Sequence, residues 1–479
     1  MKFSELAKDL DEWELRGEAE ISALCVDSRV ASEGDLFFCF RGTHTDSHVF
    51  AAEAVRRGAS AVVCEHELDL SCPQLIVPDG RRAMAQISAA FFGHPEKKMK
   101  IVGVTGTNGK TTVTHMLRNI LEEAGQEVGL IGTLGASYRG KTVAPALTTP
   151  DPVFLFSLLS DMKRSGVETV VMEVSAHALA LEKEIPITYE VGIFTNLTQD
   201  HLDFFGTMEK YGAAKATMFN NERCKFAVLN ADDPFCATLI KGGMPYTTYG
   251  LENPSDAFAL VDEESIRGFH AMLNLSDELC DAEIHLTGRH NLYNALAAAA
   301  AASRLGADTL AIARGLKRTE RVDGRLERVG SFRGADIFVD FAHTPDGLEK
   351  SLAALREHCR GKLVLLFGCG GNRDRSKRAR MGEIAARGCD FAVITSDNPR
   401  YEDPCEIIAE IERGFRPVSE SYIAVEERER ATEYAIKLLS KGDVLLVAGK
   451  GGETYQEIMG IKYSYNDKAV IKSILGKLV

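Results

Sequence analysis

An α/β protein of three domains, built on parallel sheets covered by helices, is what this chain predicts. Three observations carry that expectation. Its 479 residues exceed what one hydrophobic core organises. Short apolar runs alternate with stretches of helical spacing, the pattern of parallel strands buried on both faces. One such run, starting at Ile101, feeds a glycine-rich loop, Thr105-Gly-Thr-Asn-Gly-Lys-Thr-Thr112.

Residues 1–97 mix short apolar runs with helical stretches, and form the first expected domain. Ala51 to Ala59 has helical spacing, and Ser60 to Cys64 reads as the strand after it. Pro95 with Glu96-Lys-Lys98 marks a linker. The second domain, 98–326, opens at the glycine-rich loop. Its clearest strands are Thr169 to Glu173, Glu190 to Phe194 and Phe226 to Leu229, and Asn294 to Ser303 is an alanine-rich helix. In the third, 327–479, strands are expected at Ile337 to Asp340, Lys362 to Phe367, Phe391 to Ile394 and Asp443 to Val447.

Composition narrows the function. Hydrophobic content of 45% and charged content of 26% are those of a soluble globular protein, and the net charge of −13 argues against non-specific nucleic-acid binding. No apolar run is long enough to span a bilayer, and charges interrupt the first ten residues where a signal peptide would be apolar. The 11 cysteines contain no C-x-x-C pair and read as small buried hydrophobes in a reducing cytoplasm. A cytoplasmic monomer without membrane or nucleic-acid partners is expected.

Ligands of parallel sheets bind beyond the C-terminal ends of the strands, so the polar segments there are candidates for chemistry. In the loop, Gly106 and Gly109 let backbone N–H groups approach phosphate oxygens, Lys110 reaches the outer phosphates, and the Thr111 hydroxyl suits Mg²⁺. Val104 stands where the first glycine of the usual phosphate loop belongs. ATP is the expected ligand. Glu173-Val-Ser-Ala-His177 offers a strand-end carboxylate for Mg²⁺, or else a capping serine beside an ordinary glutamate. Asn196-Leu-Thr-Gln-Asp-His-Leu-Asp203 suits a metal or phosphate site, although Asp200 and Asp203 could equally cap a helix. Gly368-Cys-Gly-Gly-Asn-Arg-Asp374 and Ser396-Asp-Asn-Pro-Arg400 place Arg373, Arg400 and Asp397 after neighbouring strands. Two forked cations and an acid fit a zwitterionic amino acid.

Together these segments resemble the Mur ligases, ATP-dependent amino-acid-adding enzymes of peptidoglycan synthesis, over the whole chain and in the family's motif order. Gly288-Arg-His-Asn-Leu-Tyr-Asn294, Gly324-Arg325 and Asp340-Phe-Ala-His-Thr-Pro345 are similar to its later signatures. Asp27-Ser-Arg29, Gly34-Asp-Leu-Phe37, Thr148-Thr-Pro150 and Gly449-Lys-Gly-Gly-Glu453 resemble the branch that adds the third residue to UDP-N-acetylmuramoyl-L-Ala-D-Glu. Asp397-Asn-Pro-Arg400 is similar to the form that selects meso-diaminopimelate over L-lysine.

The resemblance implies a small α/β N-terminal domain, a central P-loop ATPase-like domain and a C-terminal Rossmann-like domain. It implies ATP contacts from Gly106, Thr107, Asn108, Gly109, Lys110, Thr111, Thr112, Asn291, Asn294, Arg325, Asp340 and His343. Two Mg²⁺ ions would lie on Thr111, Glu173, His201 and Lys215, the last carbamylated by CO₂. Ser28 with Thr43, His44 and Thr45 would hold the uridine nucleotide, and Thr148, Thr149, Ser175 and Lys183 the muramoyl-peptide. Arg373, Asp397, Asn398, Pro399, Arg400, Gly449 and Glu453 would bind diaminopimelate. Phe205, Asp323, Phe341, Gly452 and Lys183 depart from the family's usual residues. The alternatives are a lysine-adding ligase, a folylpolyglutamate synthase, whose phosphate loop lies nearer the N-terminus, and a non-catalytic nucleotide-binding regulator. The last would be expected to lack Lys110, Glu173, His201 or Lys215, and all four are present.

Overall fold

Three sheets follow one another along the chain in the computed structural model, which describes residues 1–42, 45–144 and 147–478. The first has five strands in the order Glu14–Arg16, Gln74–Ile76, Ala61–Cys64, Asp35–Phe38 and Ala23–Cys25, parallel except for the first pair. The expected helix here spans Ala51–Arg57 and stops at Gly58, whose φ of 118° closes the last turn. The helix Gly80–Phe91 is capped by Asp79, which accepts from the backbone N–H groups of Arg81 and Arg82. After it, the expected linker is a 3₁₀ turn, Pro95–Lys98, leading into the second sheet.

That sheet has eleven strands. Its centre is parallel: Val128–Gly132, Thr169–Glu173, Lys100–Thr105, Val191–Phe194, Ala227–Asn230 and Tyr246–Tyr249. The expectation of purely parallel sheets is corrected at its edges. Ala257–Ser265 is followed by the antiparallel strands Gly268–Leu275 and Glu278–Ile284, and a second antiparallel pair, Gly135–Tyr138 and Lys141–Val143, lies on the other side. Gly268–Leu275 and Glu278–Ile284 bury one face only, so polar residues alternate with apolar ones and no continuous run betrays them. The helices Lys110–Glu123, Arg289–Arg304 and Thr309–Arg318 share one core with the sheet. Alanines 295–302 let the middle helix pack closely.

The third sheet runs Glu327–Phe332, Ala335–Asp340, Val444–Ala448, Leu363–Phe367, Phe391–Ile394 and Tyr422–Ala424, parallel after its first pair. Helices Pro345–Arg356, Ser376–Gly388 and Pro404–Phe415 cover one face, and Arg428–Leu438 with Asp467–Leu478 the other. Ile266, from the tip of the central hairpin, packs against the third domain's core. The C-terminal strand ends of the second and third sheets face one cleft.

Candidate active site

The cleft encloses ≈ 1230 Å³ and is lined from both sheets, by Lys110, Thr111, Glu173 and His201 on one side and Arg373, Asp397 and Arg400 on the other. The glycine-rich loop leaves the strand Lys100–Thr105 and enters the helix Lys110–Glu123. Two glycines make this turn possible. A Cβ on Gly106 would lie 1.9 Å from Thr195 Oγ1, and one on Gly109, at φ 87°, 2.4 Å from Asn294 Oδ1. Lys110 Nζ donates to the carbonyls of Gly106 and Thr107, both at 2.9 Å. Lys215 Nζ donates to the same Gly106 oxygen at 2.9 Å. That lysine is only 1% exposed and lies 4.4 Å from the Tyr211 ring centre. Burial, reinforced by the Lys110 charge, pushes the Lys215 ammonium well below its usual range.

Glu173 closes its strand 1% exposed and accepts from Thr133 through the backbone N–H at 2.8 Å and the hydroxyl at 3.1 Å. Among the described residues it has no ion-pair partner within salt-bridge distance. A buried carboxylate without a cation fits a metal ligand. His201 adopts a left-handed backbone, φ 55°, and burial pushes its ring down to about 3, leaving a neutral imidazole. Such a ring can ligate a metal. Thr111 Oγ1 accepts from Arg325 Nη2 at 3.0 Å, and the Arg325 guanidinium lies 4.4 Å from the Phe341 ring centre. The departure at Phe341 therefore supplies a face for that cation.

Contacts across the cleft join the two domains. Asp200 lies 3.5 Å from His343 Nε2 and 3.6 Å from Lys377 Nζ, and its own neighbour His201 is at 3.3 Å. Burial opposes the charge on Asp200, but His343 and Lys377 outweigh it and hold the carboxyl well below the usual range. Asn108 Nδ2, on the phosphate loop, donates to Asp346 Oδ2 at 2.8 Å.

In the third domain, Arg400 is at φ 53°, donates from Nη1 to the Gly371 carbonyl at 2.8 Å and lies 3.2 Å from Glu457. Burial and the nearby Arg400 charge both lower the proton affinity of Arg373, so two guanidiniums crowd one region. Asp397 is within 4.0 Å of the fully buried cations Lys450 and Arg428. Lys450 also donates to Asn398 at 2.9 Å and Glu453 at 3.0 Å, which ties the Asp397–Arg400 segment to the Gly449–Glu453 segment. Arg428 is anchored by Asp467 through bonds of 2.9 and 2.8 Å.

Residues 20–106 match the Mur ligase family catalytic domain, 104–302 the Mur ligase middle domain and 324–451 the Mur ligase glutamate ligase domain. A UDP-N-acetylmuramoyl-L-alanyl-D-glutamate--2,6-diaminopimelate ligase of Geobacillus thermodenitrificans strain NG80-2 is 42% identical over 465 residues, 95% of each chain. The chain belongs to the Mur ligase family. A Mur ligase of the same description from Syntrophomonas wolfei is 41% identical over 485 residues, covering 99% of both chains. A solved ligase so described shares 30% identity with a TM-score of 0.67 over 96% of this chain and 95% of its own.

Within this Mur ligase the structure gathers most expected residues but not all. Thr107, Asn108, Thr112, Asn291, Asn294, Asp340, His343, Thr148, Ser175, Asn398, Gly449 and Glu453 line the cleft. Asn294 donates to Asn291 at 3.0 Å, and Thr149 is held beneath the surface by bonds to the Glu173 carbonyl and Ser175. Gly106, Pro399 and Lys215 stand behind the lining. Lys183 is tied to Asp151 at 2.6 Å, outside the cleft. Ser28 is buried at a 3₁₀ turn capped by Asp27, in the first domain and away from the cleft, as is Thr45. Thr43 and His44 lie outside the described residues. Lys377, Asp346 and Arg428 lie outside the segments that the sequence points to, and Lys450 lies inside Gly449-Lys-Gly-Gly-Glu453 without standing out in it. Each is charged in a helix or loop, and only its partner's place in space singles it out.

Proposed function

We propose that this Mur ligase joins meso-diaminopimelate to the D-Glu of UDP-N-acetylmuramoyl-L-Ala-D-Glu, with ATP cleaved to ADP and phosphate. The observation that carries this reading is one cleft with a phosphate loop on one wall and the Arg373–Arg400 pair with Asp397 on the other. The three sheets support domains at 1–97, 98–326 and 327–479.

The D-Glu side-chain carboxylate attacks the γ-phosphorus of ATP, ADP leaves, and an acyl phosphate results. Diaminopimelate's amine adds to that carbonyl, the tetrahedral intermediate collapses, and phosphate departs. Lys110 exchanges its loop carbonyls for phosphate oxygens, and Arg325 stands beside Thr111 to receive the γ-phosphate. Asn291 and Asn294 face the adenine side, with Asp340 and His343 closing from the third domain. Thr111, Glu173, His201 and carbamylated Lys215 would hold two Mg²⁺ ions, whose charge offsets the repulsion between carboxylate and triphosphate. The burial of Lys215, which lowers the proton affinity of its amine, supports the carbamate: the free-base amine adds to CO₂, losing one proton and gaining an anionic oxygen pair.

Ser28 and the Thr43–Thr45 stretch take the uridine nucleotide, and Thr148, Thr149, Ser175 and Lys183 the muramoyl-peptide. Arg373 and Arg400 hold the distal carboxylate that lysine lacks, while Asp397 accepts from the adjoining ammonium. Among the described residues no helix is long and apolar enough to cross a membrane. Use of ATP and a cleft built from one chain fit a cytoplasmic monomer.

The test is phosphate release from ATP, Mg²⁺ and the UDP-muramoyl-dipeptide with either amino acid. Release with diaminopimelate alone supports the whole reading. Preference for lysine overturns the pocket, and no release with either overturns the ligase.

A further inference from the structure

Outside the cleft, one group of metal-ligating side chains straddles the boundary between the central and third domains. Glu264 lies near the end of the strand Ala257–Ser265, and Glu357 and His358 follow the helix Pro345–Arg356. One ligand atom from each of these residues lies within 4.8 Å of the other two. His358 Nε2 points toward Glu264 at 3.9 Å, yet this enclosed nitrogen has no hydrogen-bond partner among the described residues. An imidazole nitrogen without a hydrogen bond, with two carboxylates converging on it, is a donor set of the kind that holds a divalent cation.

We propose that Glu264, Glu357 and His358 form a cation site of the Zn²⁺ class that clamps the third domain to the central one. This rests on the cluster itself and not on the ligase reading. A Zn²⁺ ion about 2.1 Å from each atom would draw them to about 3.4 Å apart, with water completing the shell. The two glutamates are exposed enough to reach that spacing by side-chain rotation.

The helix Pro345–Arg356 gives the site its consequence. Its first turn carries Asp346 onto Asn108 of the phosphate loop, and its far end leads into the cluster. Twelve residues make a rod of about 18 Å, so the cation acts at a distance from the chemistry. Bound there, it fixes the second end of a rod whose first end already touches the nucleotide loop. Ile266, two residues from Glu264, packs into the third domain and gives the clamp a firm base.

The test uses the full, tag-free chain, metal-stripped and without Mg²⁺, titrated with Zn²⁺ against a chromophoric chelator. Wild type is compared with Glu264→Gln and His358→Gln, each checked for native circular dichroism and ATP affinity. Zinc bound at the phosphate loop is common to all three and cancels. The expected result is one Zn²⁺ equivalent present in wild type and lost in both variants. Zn²⁺ is also expected to narrow the small-angle scattering distance distribution of wild type alone. Equal stoichiometry in all three proteins overturns the site. An equivalent lost with no change in scattering overturns the clamp.

Discussion

Replacing Arg400 with methionine removes a guanidinium while leaving its loop in place. The Arg400 backbone N–H donates to the Glu457 carbonyl at 3.0 Å, and its own carbonyl accepts from Met459 at 2.7 Å, so its backbone stays tied even though the side-chain bonds to the Gly371 carbonyl and Glu457 are lost. What is lost is one arm of the Arg373–Arg400 pair, and Arg373 remains to hold a ligand carboxylate. A hydrogen bond to a charged group contributes about 1.5–3 kcal/mol, or roughly a 10- to 150-fold change in equilibrium. The variant is therefore expected to raise the KM for diaminopimelate by roughly 10- to 150-fold. The KM for ATP should stay constant, and activity with lysine should barely change, because lysine brings no second carboxylate. Steady-state phosphate release against each amino acid reads both values. A diaminopimelate KM within about twofold of wild type, or equal losses with both amino acids, refutes the assignment of Arg400 to the distal carboxylate.

Lys215→Met is expected to abolish phosphate release, and ¹³C-bicarbonate should give wild type a carbamate resonance that the variant lacks. Glu173→Gln keeps the shape of the strand end but removes its charge. A loss of about 10²–10³ in kcat is expected, in the range of other transition-state electrostatic contacts, with folding shown intact by circular dichroism. Glu184 is buried against Arg223, and its carboxyl is pushed up to about 7, chiefly by burial. The folded state then keeps a proton that the unfolded chain releases above about 4.5, so this group lowers stability as pH rises from about 4.5 to about 7. The shift corresponds to about 3 kcal/mol at neutral pH. Glu184→Gln should flatten that limb of a melting-temperature profile, and an unchanged slope would count against it.

Strands buried on both faces were legible almost to the residue. Thr169–Glu173 and Phe391–Ile394 match their apolar runs because nothing in them has to face water. The antiparallel strands from Ala257 to Ile284 were not legible, since polar side chains occupy their solvent face. At the site, the rule of strand ends led to Glu173, Asp200, Arg373 and Asp397. It could not reveal that Asp200 would meet Lys377 from another domain, or that Glu173 would be held by Thr133. The first pairing depends on how two sheets face each other and the second on which strands lie side by side within one sheet, and no local pattern encodes either. Lys450 and Arg428 were hidden for a related reason: a cation is read as solvent-facing unless its buried partner is known.

The contact between Asp346 and Asn108 ties the third domain to the loop that follows the strand Lys100–Thr105. Any rotation of the third domain that separates the pair breaks a hydrogen bond to a charged group, a cost of about 1.5–3 kcal/mol. The setting of the loop and the position of the third domain are therefore linked. A molecule wedged between the helix Pro345–Arg356 and the loop would act on both at once, with no need to resemble any substrate.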